Sequence, residues 1–417
     1  MPDSPKIVVS GLGITSSIGQ GCDVFLASLL NAETAFAPLS RPGRQCLPGQ
    51  EPAANHIPFI GAELQELVMP DSIKASSYRT ASLSGKVALA TAWEAYKDAG
   101  LEEMDSGRLG LLVGGSNFQQ RELLTQQAKY ANKAEFLRPT YAMGFMDTDV
   151  CGLCTEQLGI KGLAFTVGGA SASGQLAIIQ GIEAVYSGRV DACVVLGALM
   201  DLSFWECQGF RAIGAMGSQS FYEQPELASR PFDKNHDGFI FGESCGAVVI
   251  ETQESAVRRG AAIYAEIRGW AVAMDANRNP DPSADGEIKV ITEALKMAKL
   301  SASEIDYVNP HGTGSIIGDE TELAVLRQTG LNHAAINTTK SILGHGLSAA
   351  GSSELVATIL QLKGGKLHPC RNLDNPIADD FNWVTDSAKS QQIKYAIKMS
   401  MGFGGVNTAV CLRNPAN

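Results

Sequence analysis

The chain of 417 residues, with 45% hydrophobic and 18% charged side chains, has the makeup of a soluble globular protein with one large or two closely packed cores. Its formal net charge of −11 excludes the Lys and Arg excess that a nucleic acid or an anionic membrane partner requires. No apolar run reaches the roughly 18 residues of a membrane span, and the start MPDSPKIVVSGLG lacks the charged and apolar regions of a signal peptide, so a cytoplasmic chain is expected.

From the N-terminus, strand-like apolar runs alternate with helical patterns: KIVVSGLG, the helix LSGKVALATAWEAYKDAGL, RLGLLVGG, LAFTVGGA, the helix SGQLAIIQGIEAVYSG, DACVVLGAL and GAVVIET. This alternation predicts an α/β protein. A second series starts near residue 261 with AAIYAEIRGWAVA and continues through the helix DGEIKVITEALKMAKL, then IDYVNPHGTG, AINTTKSILGHG, the helix SSELVATILQLKGG and AIKMSMGFGGVNTAVCL. The two series resemble each other, which predicts an internal duplication with halves 1–257 and 258–417. No flexible linker separates them, so the halves are expected to pack face to face and share one cleft.

Nine cysteines form an odd, scattered set in apolar surroundings, which fits reduced buried thiols. The CGLC at Cys151 to Cys154 has no second pair or histidines beside it, so no metal site is expected. Nucleotide motifs fail too: GLGITSSIG lacks the third glycine of G-x-G-x-x-G, and no P-loop occurs. GASAS around Ser171 has serine where a hydrolase elbow needs its second glycine.

Ser171 lies where the strand LAFTV turns into a helix, beside orphan N–H groups and a favourable dipole for negative charge. Capping is the common duty of a serine in such a turn. Two of the chain's six histidines, His311 in NPHGTGSIIGDETE and His345 in NTTKSILGHGLSAAGSSE, occupy matching Gly-flanked positions at strand ends, where sites are built. Asp319 and Glu322 follow the first, while Lys340 and Glu354 flank the second.

GASASG, SRPFDKNHDGFIFGESCG, PHGTGSIIGDETE, TKSILGHGLSAAGSSE and MGFGGVN, in that order over nearly the whole chain, resemble the signatures of the β-ketoacyl-ACP synthases, the condensing enzymes of fatty-acid and polyketide assembly. The resemblance implies a thiolase-like fold: two pseudo-duplicated βαβαβ-type halves in a five-layer αβαβα sandwich, as a homodimer. It implies a catalytic set of Ser171, His311, Lys340 and His345. Lys340 would orient the histidines with Glu354 in support, and Phe403 and Gly404 of the GFGG loop would gate or bind substrate. No bound cofactor or metal is implied; the substrate rides on the phosphopantetheine arm of an acyl carrier protein. Arg79, Lys74 and Arg211 are the candidates for docking that acidic partner.

The family nucleophile is a cysteine, and serine stands in its place at Ser171. A thiol begins near pKa ~8.5, and a helix dipole worth up to ~2 kcal/mol shifts a pKa by only about 1.5 units. An alcohol, nearer to the ~15.7 of water, therefore stays protonated without a contacting base. Acyl loading should fail while the histidine-assisted decarboxylation of a malonyl group survives. The expected activity is conversion of malonyl-ACP to acetyl-ACP, as in the Cys-to-Ser homologues of polyketide β-branching cassettes that feed an HMG-CoA-synthase-like enzyme. The competing possibilities are a condensing enzyme with an engineered Cys-to-Ser change, a non-catalytic partner subunit, and a serine-dependent acyltransferase.

Overall fold

The computed structural model describes residues 5–217 and 219–416. The first half contains β1 (Ile7–Ser16), α1 (Leu83–Asp98), β2 (Leu109–Gly114), α2 (Thr148–Leu158), β3 (Ala164–Val167), α3 (Ser173–Tyr186), β4 (Ala192–Gly197) and β5 (Ser244–Thr252). The second contains β6 (Ala265–Met274), α4 (Ala284–Ala298), β7 (Tyr307–Asn309), α5 (Ile316–Gln328), β8 (Ala335–Ile336), α6 (Ala350–Gly364), β9 (Asn382–Trp383), β10 (Tyr395–Gly402) and β11 (Val406–Arg413). β1, β2 and β4 are buried along their whole lengths, which is why they read as continuous apolar runs rather than alternating ones.

The strands follow one path, β9-β8-β7-β10-β11-β6-β1-β5-β4-β2-β3. With the short edge strand β9 set aside and the strands of each half numbered in their own chain order, both halves have the order 1-5-4-2-3. The first two pairings are antiparallel and the last two parallel in each half. Within this sheet the two halves are joined by the pairing of Ile7 to Val9 with Ala265 to Ile267. A bulge after Val9 in β1 and another after Ile267 in β6 follow that short ladder, and bulges bend strands. The sheets separate there, and α3 and α6 fill the space between them.

Three apolar clusters match the layers. One lies between α1, α2 and the first sheet, one between the second sheet and α4 and α5, and the largest surrounds α3 and α6. Residues Ala350 to Leu362 of α6 are all buried, so this helix shows no amphipathic stripe, and every polar group on it needs an internal partner.

The inner helices meet at their N-termini. A Cβ on Gly174 would lie 2.9 Å from the Ser348 carbonyl oxygen, and one on Gly351 would lie 2.6 Å from the Gln175 nitrogen. Each helix is preceded by a 3₁₀ turn whose first residue has positive φ: Ala170 at 48° and Leu347 at 51°. Backbone strain of this kind persists where the surroundings over-determine it, often at sites. Gly351→Ala is expected to lower the denaturation midpoint, by about 1–3 kcal/mol of overpacking. Gly152→Ala, where a methyl would meet nothing within 4 Å, is the matched control.

Candidate active site

The turn before α3 is pinned by Ser173 rather than Ser171. Ser173 Oγ donates to the Ala170 carbonyl at 2.6 Å and accepts from the Gly169 N–H at 2.8 Å. Ser171 does not cap the helix, whose N-cap is Ala172. Its hydroxyl is left facing a cavity, with Oγ 3.0 Å from His345 Nε2.

His345 is held by its backbone N–H, which donates to the Ile240 carbonyl at 2.6 Å. The Leu347 N–H donates to its ring Nδ1 at 3.3 Å. A neutral imidazole has one donor and one acceptor nitrogen, so an accepting Nδ1 puts the proton on Nε2. Towards Ser171, His345 is therefore a donor and not a base.

His311 follows β7 and is positioned through its main chain. Glu322 on α5 accepts from the His311 N–H at 2.6 Å and the Gly312 N–H at 2.7 Å, while Lys340 Nζ donates to the His311 carbonyl at 2.5 Å. The rings of His311 and His345 stand nearly perpendicular, 5.6 Å between centroids. Burial, reinforced by the ammonium groups of Lys340 and Lys398, holds both imidazoles well below the usual histidine range, so both are neutral at pH 7.

Lys340 and Glu354 form a buried ion pair, with Nζ 2.5 Å from Glu354 Oε1. The other carboxylate oxygen lies 2.7 Å from Lys398 Nζ, on β10. Glu354 thus sits between two buried ammonium groups. Burial brings Lys398 down to about 8 against the pull of Glu354. Lys398 was missed from the sequence, although a lysine inside the apolar strand YAIKMSMG was its signal. Lys340 acts on His311 through the main chain; the fixed tautomer of His345 comes from Leu347 instead.

Ser171, His311, His345, Met200, Phe239 and Phe403 line a cavity of about 150 Å³ between the halves. The Phe403 side chain is 41% exposed and its ring lies 6.5 Å from that of Phe210, which places it on the wall facing solvent. Gly404 is not on the wall; it and Gly405 have φ of 89° and 85°, a conformation that glycine supplies without strain. Lys74 and Arg79 are exposed, at either end of the short helix Ala75–Tyr78. Arg211 differs from the expectation of a docking charge. Its guanidinium donates to the carbonyls of Ile57 at 2.7 Å and Pro58 at 3.2 Å and stacks 3.8 Å above the Phe59 ring, because a planar fork satisfies two carbonyls and an aromatic face at once.

Among the described residues, no cluster of His, Cys, Asp and Glu could hold a metal ion, and no helix is long and apolar enough to cross a membrane.

Comparisons with known proteins agree with this geometry. Residues 4–256 match the family model "Beta-ketoacyl synthase, N-terminal domain", and residues 264–374 match "Beta-ketoacyl synthase, C-terminal domain". The polyketide biosynthesis malonyl-ACP decarboxylase PksF of Bacillus subtilis (strain 168) is 55% identical over 410 residues, covering 98% of this chain and 97% of its own. The 3-oxoacyl-[acyl-carrier-protein] synthase 2 of Coxiella burnetii is 29% identical over 416 residues, covering 98% of each. A β-ketoacyl synthase from Burkholderia phymatum superposes with a TM-score of 0.86 at 25% identity over 98% of this chain and 99% of that one. A type II ketosynthase in complex with its acyl carrier protein, AntDE:AntF, gives 0.86 at 25% identity over 99% and 100%. The repeated strand order, the paired histidines at the meeting of the inner helices, and these matches together establish that the chain belongs to the β-ketoacyl synthase family.

Proposed function

We propose that this protein decarboxylates malonyl-ACP to acetyl-ACP. The observation that carries the reading is the proton fixed on His345 Nε2, aimed into the cavity beside a serine that has no base. The malonyl thioester oxygen accepts from His345 Nε2–H and from the His311 ring. The pair of electrons from the breaking C–C bond flows into the carbonyl as CO₂ leaves, and the two donors stabilise the enolate oxygen. A preorganised donor of this type contributes roughly 3 kcal/mol to such a step. Ser171 remains a neutral hydroxyl, so no acyl-enzyme is present to capture the enolate, which is protonated to acetyl. The name of the 55% identical relative supports the same chemistry.

The role in supplying acetyl-ACP to a β-branching step rests on the retained histidine pair together with serine at position 171. The acyl carrier protein as partner is supported by the neighbour solved with its carrier protein. Lys74 and Arg79 are its docking residues in this proposal, and Arg79→Glu is expected to raise KM for malonyl-ACP several-fold with kcat unchanged. A homodimer is supported by β3, the last strand of the sheet path, and by the exposed Phe136, Met143 and Phe145. Light scattering of the wild type and a Phe136→Asp, Phe145→Asp variant tests this: a dimer that becomes monomeric is expected. The nine unpaired cysteines suit the reducing cytoplasm.

The decisive experiment follows malonyl-ACP and the intact protein by mass spectrometry. Acetyl-ACP without acylated protein is the expected result. Unchanged malonyl-ACP overturns the proposal, and a stable adduct on Ser171 replaces it with acyl transfer. Ser171→Cys is expected to gain an acyl adduct from acyl donors, because a thiol supplies the thiolate that an alcohol does not.

A further inference from the structure

Decarboxylation leaves a carbanion-like carbon that needs a proton, and the described catalytic groups do not supply one. His345 Nε2–H is committed to the thioester oxygen, and an alcohol is a poor acid. Five acidic residues line the same cavity, Asp275, Asp281, Glu287, Asp319 and Glu322, and of these Glu287 has a buried carboxyl oxygen left without a donor. Glu287, in the first turn of α4, is 2% exposed and lines the cavity that holds Ser171, His311 and His345. Its Oε2 is buried without a hydrogen-bond partner.

The elements packed around Glu287 surround it with negative groups that have their own donors. From α5, Glu322 accepts the two N–H groups of His311 and Gly312. Asp319, also on α5 and on the cavity wall, accepts from Phe232 N–H at 2.6 Å and lies 3.1 Å from His236 Nδ1. Asp275, just beyond β6, accepts from Asn407 Nδ2 of β11 at 2.7 Å. Glu287 faces Glu322 and Asp275 with no ion pair among the described residues. Adjacent buried carboxyls cannot all ionise, and the one without donors keeps the proton.

We infer that Glu287 is the proton donor that completes the reaction: its O–H bond breaks as a C–H bond forms at the enolate carbon, and the resulting carboxylate is re-protonated from solvent before the next turnover. Burial, with Glu322 and Asp275 adding to it, pushes Glu287 up to about 9, and Glu322 reaches about 7. Glu287 therefore carries its proton at pH 7. A condensing enzyme gains nothing from such an acid, since it would quench the nucleophile needed for C–C bond formation; a decarboxylase requires one.

The inference rests on the decarboxylase reading, so the wild type is measured first. CO₂ release and acetyl-ACP formation are followed from pH 6 to 10 for the wild type, Glu287→Gln, and Glu287→Ala with added ammonium chloride, whose cation is a small acid that still carries its proton at neutral pH. Wild-type turnover that falls as pH rises through about 9, together with a Glu287→Gln variant that keeps KM, loses about 10²-fold in kcat and lacks that alkaline limb, is the expected outcome. Ammonium is expected to restore turnover to Glu287→Ala at neutral pH, which covers the case in which the glutamine variant does not fold. Glu287→Gln with wild-type kcat and the same alkaline limb overturns the inference and leaves the decarboxylase standing. No rescue by ammonium in a folded, inactive Glu287→Ala also overturns it. A wild type that releases no CO₂ overturns both.

Discussion

Removal of either ring, His311→Ala or His345→Ala, is expected to lower kcat for malonyl-ACP decarboxylation by about 10²–10³, the loss found when one oxyanion donor is deleted. KM should change little, because the donors act on charge that develops only after binding. His345→Gln separates donor from base. Its side-chain amide places an N–H near the lost Nε2, so it should retain more activity than alanine, whereas a general base would be lost equally in both. The acid side of the pH profile gives a second check. Burial and the ammonium groups of Lys340 and Lys398 depress both imidazoles well below 6.5. The rate should therefore show no acid limb near pH 6.5. Glu322, which holds the His311 main chain, reaches about 7, so a limb there that survives Glu322→Gln would mean that one ring titrates in the ordinary range and is less enclosed than the structure has it.

Glu354→Gln is expected to cost about 3–5 kcal/mol of folding stability, the usual penalty for removing one partner of a buried ion pair. Glu354 is 2% exposed on a helix with no solvent-facing side, and its charge is the bond between Lys340 and Lys398. Without it, two ammonium groups face each other in a dry interior. Urea denaturation measures the loss, and the double variant Glu354→Gln, Lys398→Met tests its origin. Removing the second ammonium should recover part of the stability, since a buried charge triad replaced by apolar groups is often neutral. An unchanged midpoint in the double variant would show that the cost comes from packing rather than unpaired charge. Activity is affected separately: Lys340 positions His311 through its carbonyl, so displacement of this lysine should reduce kcat even where the protein stays folded.

The amino-acid sequence alone determined the α/β class and the duplication, and it marked Ser171, His311, Lys340 and His345, which the structure brings together at one site. Each of these is written in local signals: apolar runs of strand length, glycine turns at strand ends, and motifs in family order. Serine in place of cysteine is itself a statement about acidity, and the loss of nucleophilic chemistry follows from it without coordinates.

The tertiary structure decided what local signals do not encode. The tautomer of His345 depends on the direction of the Leu347 N–H two residues away. Lys398 and Glu287 come from β10 and α4, distant in sequence from the histidine motifs, and become site residues only because the second sheet folds against α5 and α6. Arg211 reads as a surface charge in one dimension and is bound to two carbonyls in three. Burial is the common physical reason. Whether a titratable group is solvated, paired or left holding its proton is fixed by the neighbours that packing brings to it, and those neighbours lie tens to hundreds of residues away along the chain.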